Sequence, residues 1–203
     1  MLRLIFGPLI GAGRFGRLSE LVAMSDNVAA ASRLLGPNAS FSNATSLEVA
    51  RLGREVTSWR RRLEMRLAKA AMTTTDPRLL SEAATEIVQL VRLIARVVRC
   101  REWLRPGDPV EAAGLQAAAA HGAQLVADSA LQLASTGVLT QSDSGDAIKS
   151  RAEELYSRGL ERAFRQCADP LDVLRQRTLY DGLLGVVIGS DSALAALRDA
   201  SVD

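Results

Sequence analysis

The 203-residue sequence predicts an all-α protein built as an elongated bundle of six helices. Apolar residues recur at intervals of three and four over long segments, which is the periodicity of helices with one buried face. Glycine and proline stand almost entirely between these segments, and no segment shows the sustained alternation of a half-buried strand. Hydrophobic residues make up 48% of the chain and charged residues 24%, a balance typical of a folded globular protein. No uninterrupted apolar run approaches the roughly 18 residues of a membrane span.

The first predicted helix runs from about Arg17 to Leu35 and ends at Gly36-Pro37. Residues 1–14 precede it as an apolar segment, interrupted by glycine and proline, and residues 15–203 form a single bundle domain. We expect the N-terminal segment to pack along the bundle; contact with a membrane or a partner is the alternative. It lacks the unbroken apolar stretch and the cleavage pattern of a signal peptide.

The second and third helices have recognisable starts. Thr45 and Glu48 fit a capping box, in which each side chain satisfies a free backbone N–H group of the first turn. Asp76-Pro77 supplies a capping carboxylate and a proline at the first helical position. The apolar stripe of the second helix is Leu52, Val56, Trp59, Leu63, Leu67 and Ala70. The third helix has a wider apolar arc and is therefore expected near the centre of the bundle; it comprises Leu80, Ala84, Ile87, Val88, Leu90, Val91, Ile94, Val97 and Val98.

The last three helices repeat these signals. Asp108-Pro109 opens an alanine-rich fourth helix that extends to about Ser135. The fifth helix follows the Ser142-Asp143-Ser144-Gly145 stretch, and Asp169-Pro170 opens the sixth. Helices of about 25 residues are roughly 38 Å long, so short connections between them predict an elongated bundle.

Charge is distributed unequally along the chain. Residues 1–105 carry 17 Lys and Arg and 9 Asp and Glu, a net charge of +8, whereas residues 106–203 carry 8 and 14, a net charge of −6. One interpretation is that two helical halves attract each other within one bundle or across a homo-oligomer. The other is that the asymmetry marks an interaction surface.

The densest charge lies in the second helix, where a candidate interaction patch comprises Arg60, Arg61, Arg62, Arg66 and Lys69. Such a patch is suited to docking on an acidic partner or on anionic lipid headgroups. The alternative is an ordinary solvated face with pairs four residues apart, such as Arg60 with Glu64. The chain lacks a nucleic-acid recognition motif and a set of stacking aromatics, which argues against nucleic acid as the partner.

Residues suited to catalysis or metal binding are scarce. His121 is the only histidine, and neither Cys100 nor Cys167 has a second ligand at metal-binding spacing, so we predict no catalytic, cofactor or metal site. We interpret both cysteines as thiols of a cytoplasmic protein. Residues 11–16 match G-x-G-x-x-G, but a dinucleotide site needs a strand before this motif, and the chain predicts a flexible entry to the first helix instead.

Several stretches occur in an order and spacing that match a known family. An aromatic residue leads into a Leu-Ser-Glu-Leu-Val-Ala-Met-Ser-Asp-Asn-Val run and then a leucine pair. The other stretches are Glu48–Val56, Leu80–Val91, Ile148–Phe164, Asp169–Leu174 and Leu179–Asp181. From about Phe15 to Ala196 the chain resembles the PhoU-like proteins encoded beside Pit-type phosphate transporters, the Pit accessory proteins.

This resemblance implies a six-helix bundle and a non-enzymatic accessory or regulatory role in inorganic phosphate transport. The protein would act by contact with a Pit-type transporter, in the cytoplasm or at the inner face of the membrane. The alternative is a helical scaffold or interaction protein unrelated to phosphate, which docks to acidic partners or a membrane surface through the basic second helix.

PhoU-like proteins are also associated with metal ions, and the chain departs from the family at those positions. The family's acidic ligand positions fall on Thr85, Glu86 and Gln89 in the third helix. In the sixth helix they fall near Leu184, Gly185 and Ile188. A single carboxylate cannot replace a cluster of oxygen ligands around a cation, so we predict that the metal cluster is lost.

Overall fold

The computed structural model of the chain describes residues 7–36, 42–69, 76–104, 110–139 and 144–201. These residues form an all-α helical bundle, as predicted, and no strand occurs among them. The six helices are α1 (Gly7–Leu35), α2 (Asn43–Lys69), α3 (Pro77–Leu104), α4 (Val110–Thr136), α5 (Ser144–Gln166) and α6 (Pro170–Asp199).

The helices are arranged as two matching triplets. In the first, α2 packs on α1 and α3; in the second, α5 packs on α4 and α6 in the same way. The triplets join along two extensive seams, α1 on α4 and α3 on α6. Four helices therefore form a central layer, and α2 and α5 lie outside it, one on each triplet.

The core confirms the predicted apolar faces. All nine residues of the predicted α3 arc are buried, which places α3 at the bundle centre as expected. In α2, Leu52, Val56 and Leu63 are buried, while Trp59 and Leu67 pack on the core at partial exposure. By length and composition alone, α6 could also cross a membrane, but in this bundle one of its faces is buried, with Leu179, Tyr180, Leu183 and Leu197, while Leu171, Leu174 and Ile188 are exposed. A core helix of a folded protein has the same composition.

Two of the predicted helix starts are confirmed. The Asp76 carboxylate accepts a hydrogen bond from the Arg78 backbone N–H at 2.8 Å, at the start of α3. Asp169 is the N-cap of α6, and its carboxylate accepts from the Leu171 N–H at 2.9 Å. In both helices the proline falls where its missing N–H has no intrahelical partner to lose.

The predicted cap of α2 is wrong by one turn. The N-terminal residue of the box is Ser42: its N–H donates to the Thr45 hydroxyl and its own hydroxyl accepts from the Thr45 N–H, each at 3.4 Å. Thr45 thus takes the position expected for a glutamate, three residues after the cap. Glu48 pairs with Arg51 instead, at 2.6 Å.

The predicted start of α1 at Arg17 is also wrong, because the helix already begins at Gly7. Part of the N-terminal segment 1–14 is therefore helical, and residues 1–6 lie outside the described part of the chain. Glycine in a helix interior costs about 1 kcal/mol relative to alanine but does not forbid helical dihedral angles. Pro8 lies in the first turn, where proline is tolerated.

Three ion pairs each join two helices of the same triplet: Arg66 with Glu20, Arg162 with Glu111, and Lys149 with Asp191. Hydrogen bonds of amide side chains cross between the triplets. Gln116 donates to the Gly36 carbonyl at 2.9 Å and accepts from Arg101, and Ser32 donates to Gln124 at 3.2 Å.

Candidate functional site

The predicted patch on α2 is divided by the geometry of its helix. Successive residues of an α-helix point about 100° apart, so Arg60, Arg61 and Arg62 project in three different directions. Arg60 turns towards α3: its Nη1 donates to the Thr85 hydroxyl at 3.3 Å, and its Nε lies 3.6 Å from Glu64. The latter distance is too long for a hydrogen bond, so this buried Nε has no hydrogen-bond partner. Arg60 therefore joins α2 to α3, and the expected pairing with Glu64 is loose.

Two other members of the patch contact neighbours on the opposite side of α2. The Arg62 guanidinium lies over the Trp59 ring, 4.5 Å from its centroid, which is a cation–π arrangement. Arg66 reaches α1, where its Nε lies 3.0 Å from Glu20. Lys69 is exposed at the C-terminal end of α2. The five residues thus do not form one continuous surface.

Arg61 faces a groove between α2 and α3 that the sequence did not reveal. The groove has a volume of about 500 Å³ and is lined by four exposed arginines, two from each helix. These arginines, called here the groove arginines, are Arg54, Arg61, Arg92 and Arg99.

The floor of the groove is apolar and made of small residues. Val49, Ala50 and Gly53 of α2 and Ala95 of α3 line it. A Cβ added at Gly53 would meet no atom within 4 Å, so the groove is open above this residue. Ser58 and Thr57 contribute hydroxyls to the same lining, and the Thr57 hydroxyl donates to the Gly53 carbonyl at 2.7 Å.

The groove arginines differ electrostatically from Arg51 and Arg66 of α2, which pair with carboxylates. Arg51, one turn before Arg54, lies between Glu48 and Glu55, and its guanidinium lowers the pKa of the Glu48 carboxyl. Within the described ranges, no carboxylate lies at ion-pair distance from any of the four groove arginines. The Arg99 Nε donates a hydrogen bond to the Ala95 carbonyl at 3.2 Å, which anchors this side chain beside the groove. An apolar groove with uncompensated positive charge along it attracts anions, because low-dielectric walls focus the field.

A weak sequence signal for this groove exists. Arg54 and Arg61 are seven residues apart and share a face of α2, while Arg92 and Arg99 have the same spacing on α3. Neither Arg54 nor Arg92 has an acidic residue three or four positions away. The sequence does not show how α2 and α3 pack on each other, and it is this packing that brings both pairs of arginines to one groove.

Two of the positions on which the family's acidic ligands would fall make other contacts. Thr85 donates to the Ser81 carbonyl at 2.8 Å, and Gly185 lies in α6 where it faces Leu93 of α3. Among the described residues no group of three or more His, Cys, Asp or Glu is placed to hold a metal ion. His121 is exposed on α4. Residues 11–16 lie inside α1, so the G-x-G-x-x-G match has neither the strand nor the turn of a dinucleotide site.

One buried polar group lacks a partner. Tyr180 is 1% exposed, and its hydroxyl has no hydrogen-bond partner. Burial of the ring raises the pKa of the Tyr180 hydroxyl to about 12, with the Glu111 carboxylate as a further cause. The Tyr180 side chain belongs to the hydrophobic core, so we assign its hydroxyl to the core and not to a site.

Comparison with protein-family models gives no match to this chain, and comparison with curated proteins gives none either. The groove arginines between α2 and α3 are accordingly the candidate site that the structure itself supplies.

Proposed function

We propose that this protein is a non-enzymatic accessory protein of inorganic phosphate transport, which acts by binding a Pit-type transporter on the cytoplasmic side of the membrane. The order of helical segments that resembles the Pit accessory proteins supports the link to phosphate. The groove arginines support a mechanism based on protein–protein contact, because they are exposed and lack carboxylate partners within the described residues.

Association through such a face follows from its charge. Uncompensated arginines steer an acidic surface towards the groove and orient it on arrival, and a guanidinium binds carboxylates through two parallel hydrogen bonds. The contacts of Arg60 and Arg66 with α3 and α1 hold α2 in place, so the face is presented by a fixed helix pair.

Transport measurements in the native host test this proposal. We expect deletion of the gene to change the rate of radiolabelled phosphate uptake, and expect the tagged protein to co-purify with a Pit-type transporter. A variant with Arg54 and Arg61 both changed to glutamine should lose co-purification while it remains folded. Unchanged uptake together with no transporter in the purified complex would contradict the proposal.

A second candidate is an interaction protein unrelated to phosphate, and the same groove favours it, since charge complementarity specifies no particular partner. Its expected result differs: deletion leaves phosphate uptake unchanged, while a different protein co-purifies in a manner that requires Arg54 and Arg61. Identification of that partner by mass spectrometry separates the two candidates.

A further inference from the structure

The groove arginines follow one another along the groove. The helices α2 and α3 are antiparallel neighbours, and Arg60 meets Thr85 across their contact. Arg54, six residues earlier on α2, is therefore level with a position about six residues later on α3, next to Arg92. Arg61 lies seven residues from Arg54 towards one end of the groove, and Arg99 lies seven residues from Arg92 towards the other. At 1.5 Å per residue, the arginines span about 20 Å.

An occupant of this groove must be elongated and must carry several negative charges. A single small anion would satisfy one or two guanidinium groups and leave the rest uncompensated. A ligand with charges distributed along its length can engage the paired arginines at the middle and the single arginines at both ends.

The floor of the groove offers no pocket for a large side chain. Interfaces with peptides usually bury a large anchor residue in a pocket. Here Ala50, Gly53 and Ala95 form a shallow floor, and Val49 beneath them is fully buried. None of the ten lining residues is aromatic, so the groove has no platform on which a nucleobase could stack.

Phosphate groups match the remaining chemistry. A guanidinium binds phosphate oxygens through two parallel, charge-assisted hydrogen bonds. The Ser58 hydroxyl adds a neutral donor to the lining. An unbranched chain of phosphates is narrow, presents oxygens along its whole length and needs no pocket.

We propose that the α2–α3 groove is a binding site for a linear inorganic oligophosphate, held by Arg54, Arg61, Arg92 and Arg99. The site rests on the groove alone and does not depend on the proposed role in transport; an acidic protein surface and the oligophosphate would compete for the same four arginines. Binding also offsets the repulsion between the like charges along the groove, so the ligand stabilises the folded protein.

Calorimetric titration of the full-length protein tests the site with four probes: inorganic phosphate, pyrophosphate, tripolyphosphate and a longer linear polyphosphate. We expect affinity to rise with chain length, by at least about tenfold between inorganic phosphate and the longest probe. The double variant R54Q/R61Q should bind the longest probe at least about tenfold more weakly. The slope of log affinity against log salt concentration should fall by about two, one for each arginine removed.

A matched control exists on α5. Arg158 and Arg165 are exposed and also seven residues apart, but they pair with Glu154 and Glu161. The variant R158Q/R165Q changes the net charge by the same amount as R54Q/R61Q and should keep oligophosphate affinity within about twofold of the parent. Circular dichroism and thermal unfolding establish that both variants are folded before affinities are compared.

Four results would overturn the proposal. Equal weakening by both double variants would show general charge attraction, and equal affinity for inorganic phosphate and the longest chain would show a single-anion site. Binding of poly-glutamate of equal charge as tightly as polyphosphate would point to an acidic peptide. Binding to phosphatidylglycerol vesicles that excess polyphosphate cannot displace would point to a membrane surface.

Discussion

The Nε of Arg66 lies 3.0 Å from a carboxylate oxygen of Glu20, and this ion pair joins α2 to α1. The Glu20 side chain is only 3% exposed, whereas that of Arg66 is 56% exposed. Ser19 donates a further hydrogen bond to the Glu20 carboxylate at 3.2 Å. A residue in the middle of a basic run, which resembles a docking surface in the sequence, therefore neutralises a buried carboxylate of the neighbouring helix.

Replacement of Arg66 by alanine should lower the free energy of unfolding by about 1–3 kcal/mol, because it leaves the Glu20 carboxylate buried without its cation. The effect stays below that of a fully buried pair, since water reaches the guanidinium of Arg66. Arg61→Ala is the control: Arg61 is exposed and faces the groove, so its loss should change stability by less than about 0.5 kcal/mol. Urea unfolding of both variants measures the difference, and equal effects would refute the structural role of Arg66.

Replacement of Tyr180 by phenylalanine should leave the free energy of unfolding unchanged or raise it by up to about 1–2 kcal/mol. The Tyr180 hydroxyl is buried without a hydrogen-bond partner. Its removal therefore avoids the free-energy cost of taking the hydroxyl out of water, and no hydrogen bond is lost. Tyr156→Phe is the matched change, because the Tyr156 hydroxyl donates to Asp181 at 2.7 Å. That variant should be less stable by about 0.5–1.5 kcal/mol. A large loss of stability in Tyr180→Phe would reveal a partner for the hydroxyl.

The raised pKa of the Tyr180 hydroxyl leads us to expect a loss of stability at alkaline pH. Tyr180 has a pKa of about 12 in the folded protein, against about 10 in an unfolded chain. Between these values the unfolded state releases the proton and the folded state keeps it, so stability is fully present below pH 10 and declines as the pH rises. The decline should reach about 2–3 kcal/mol near pH 12. Tyr180→Phe should lack this part of the decline, which urea unfolding at a series of pH values would detect.

Three helical glycines should respond differently to alanine. At Gly53 a Cβ meets nothing within 4 Å, so Gly53→Ala should stabilise the protein by about 0.5–1 kcal/mol through helix propensity. At Gly189 a Cβ would meet the end of the flexible Leu93 side chain at 2.7 Å. The gain in helix propensity and the cost of moving the Leu93 side chain should therefore nearly cancel in Gly189→Ala.

At Gly159 the Cβ would lie 2.8 Å from two ring atoms of Tyr180, which is buried and cannot turn aside. Gly159→Ala should therefore cost about 1–3 kcal/mol. Thermal unfolding should rank Gly53→Ala above Gly189→Ala and Gly159→Ala lowest; a Gly159→Ala protein as stable as the parent would contradict the packing described for α5 on α6.

The sequence predicts the presence of each helix more accurately than the residue at which the helix begins. Asp76-Pro77 and Asp169-Pro170 each combine a capping carboxylate with a proline that fits only the first turn, so both starts are correct. The start of α1 was missed because glycine and proline are only weak obstacles within the first turns of a long helix. Ser42 was missed because Thr45 and Glu48 offer an equally plausible capping box one turn later.

The candidate site is harder to predict than the fold because it combines two helices. Within α2, sequence alone does not tell Arg61 from Arg60 and Arg62, since all three have similar neighbours. Only the position of α3 determines that Arg60 meets Thr85 while Arg61 lines the groove. Arg92 and Arg99 resemble ordinary solvated residues until α2 is placed beside them.

The division of the bundle into two triplets has a consequence for assembly. The seams α1 on α4 and α3 on α6 would be the same whether the two triplets came from one chain or from two. Residues 105–109 alone link the triplets covalently, between the ends of α3 and α4. The architecture therefore permits two copies to exchange triplets, and it permits the chain to be expressed as two fragments that reassemble into one bundle.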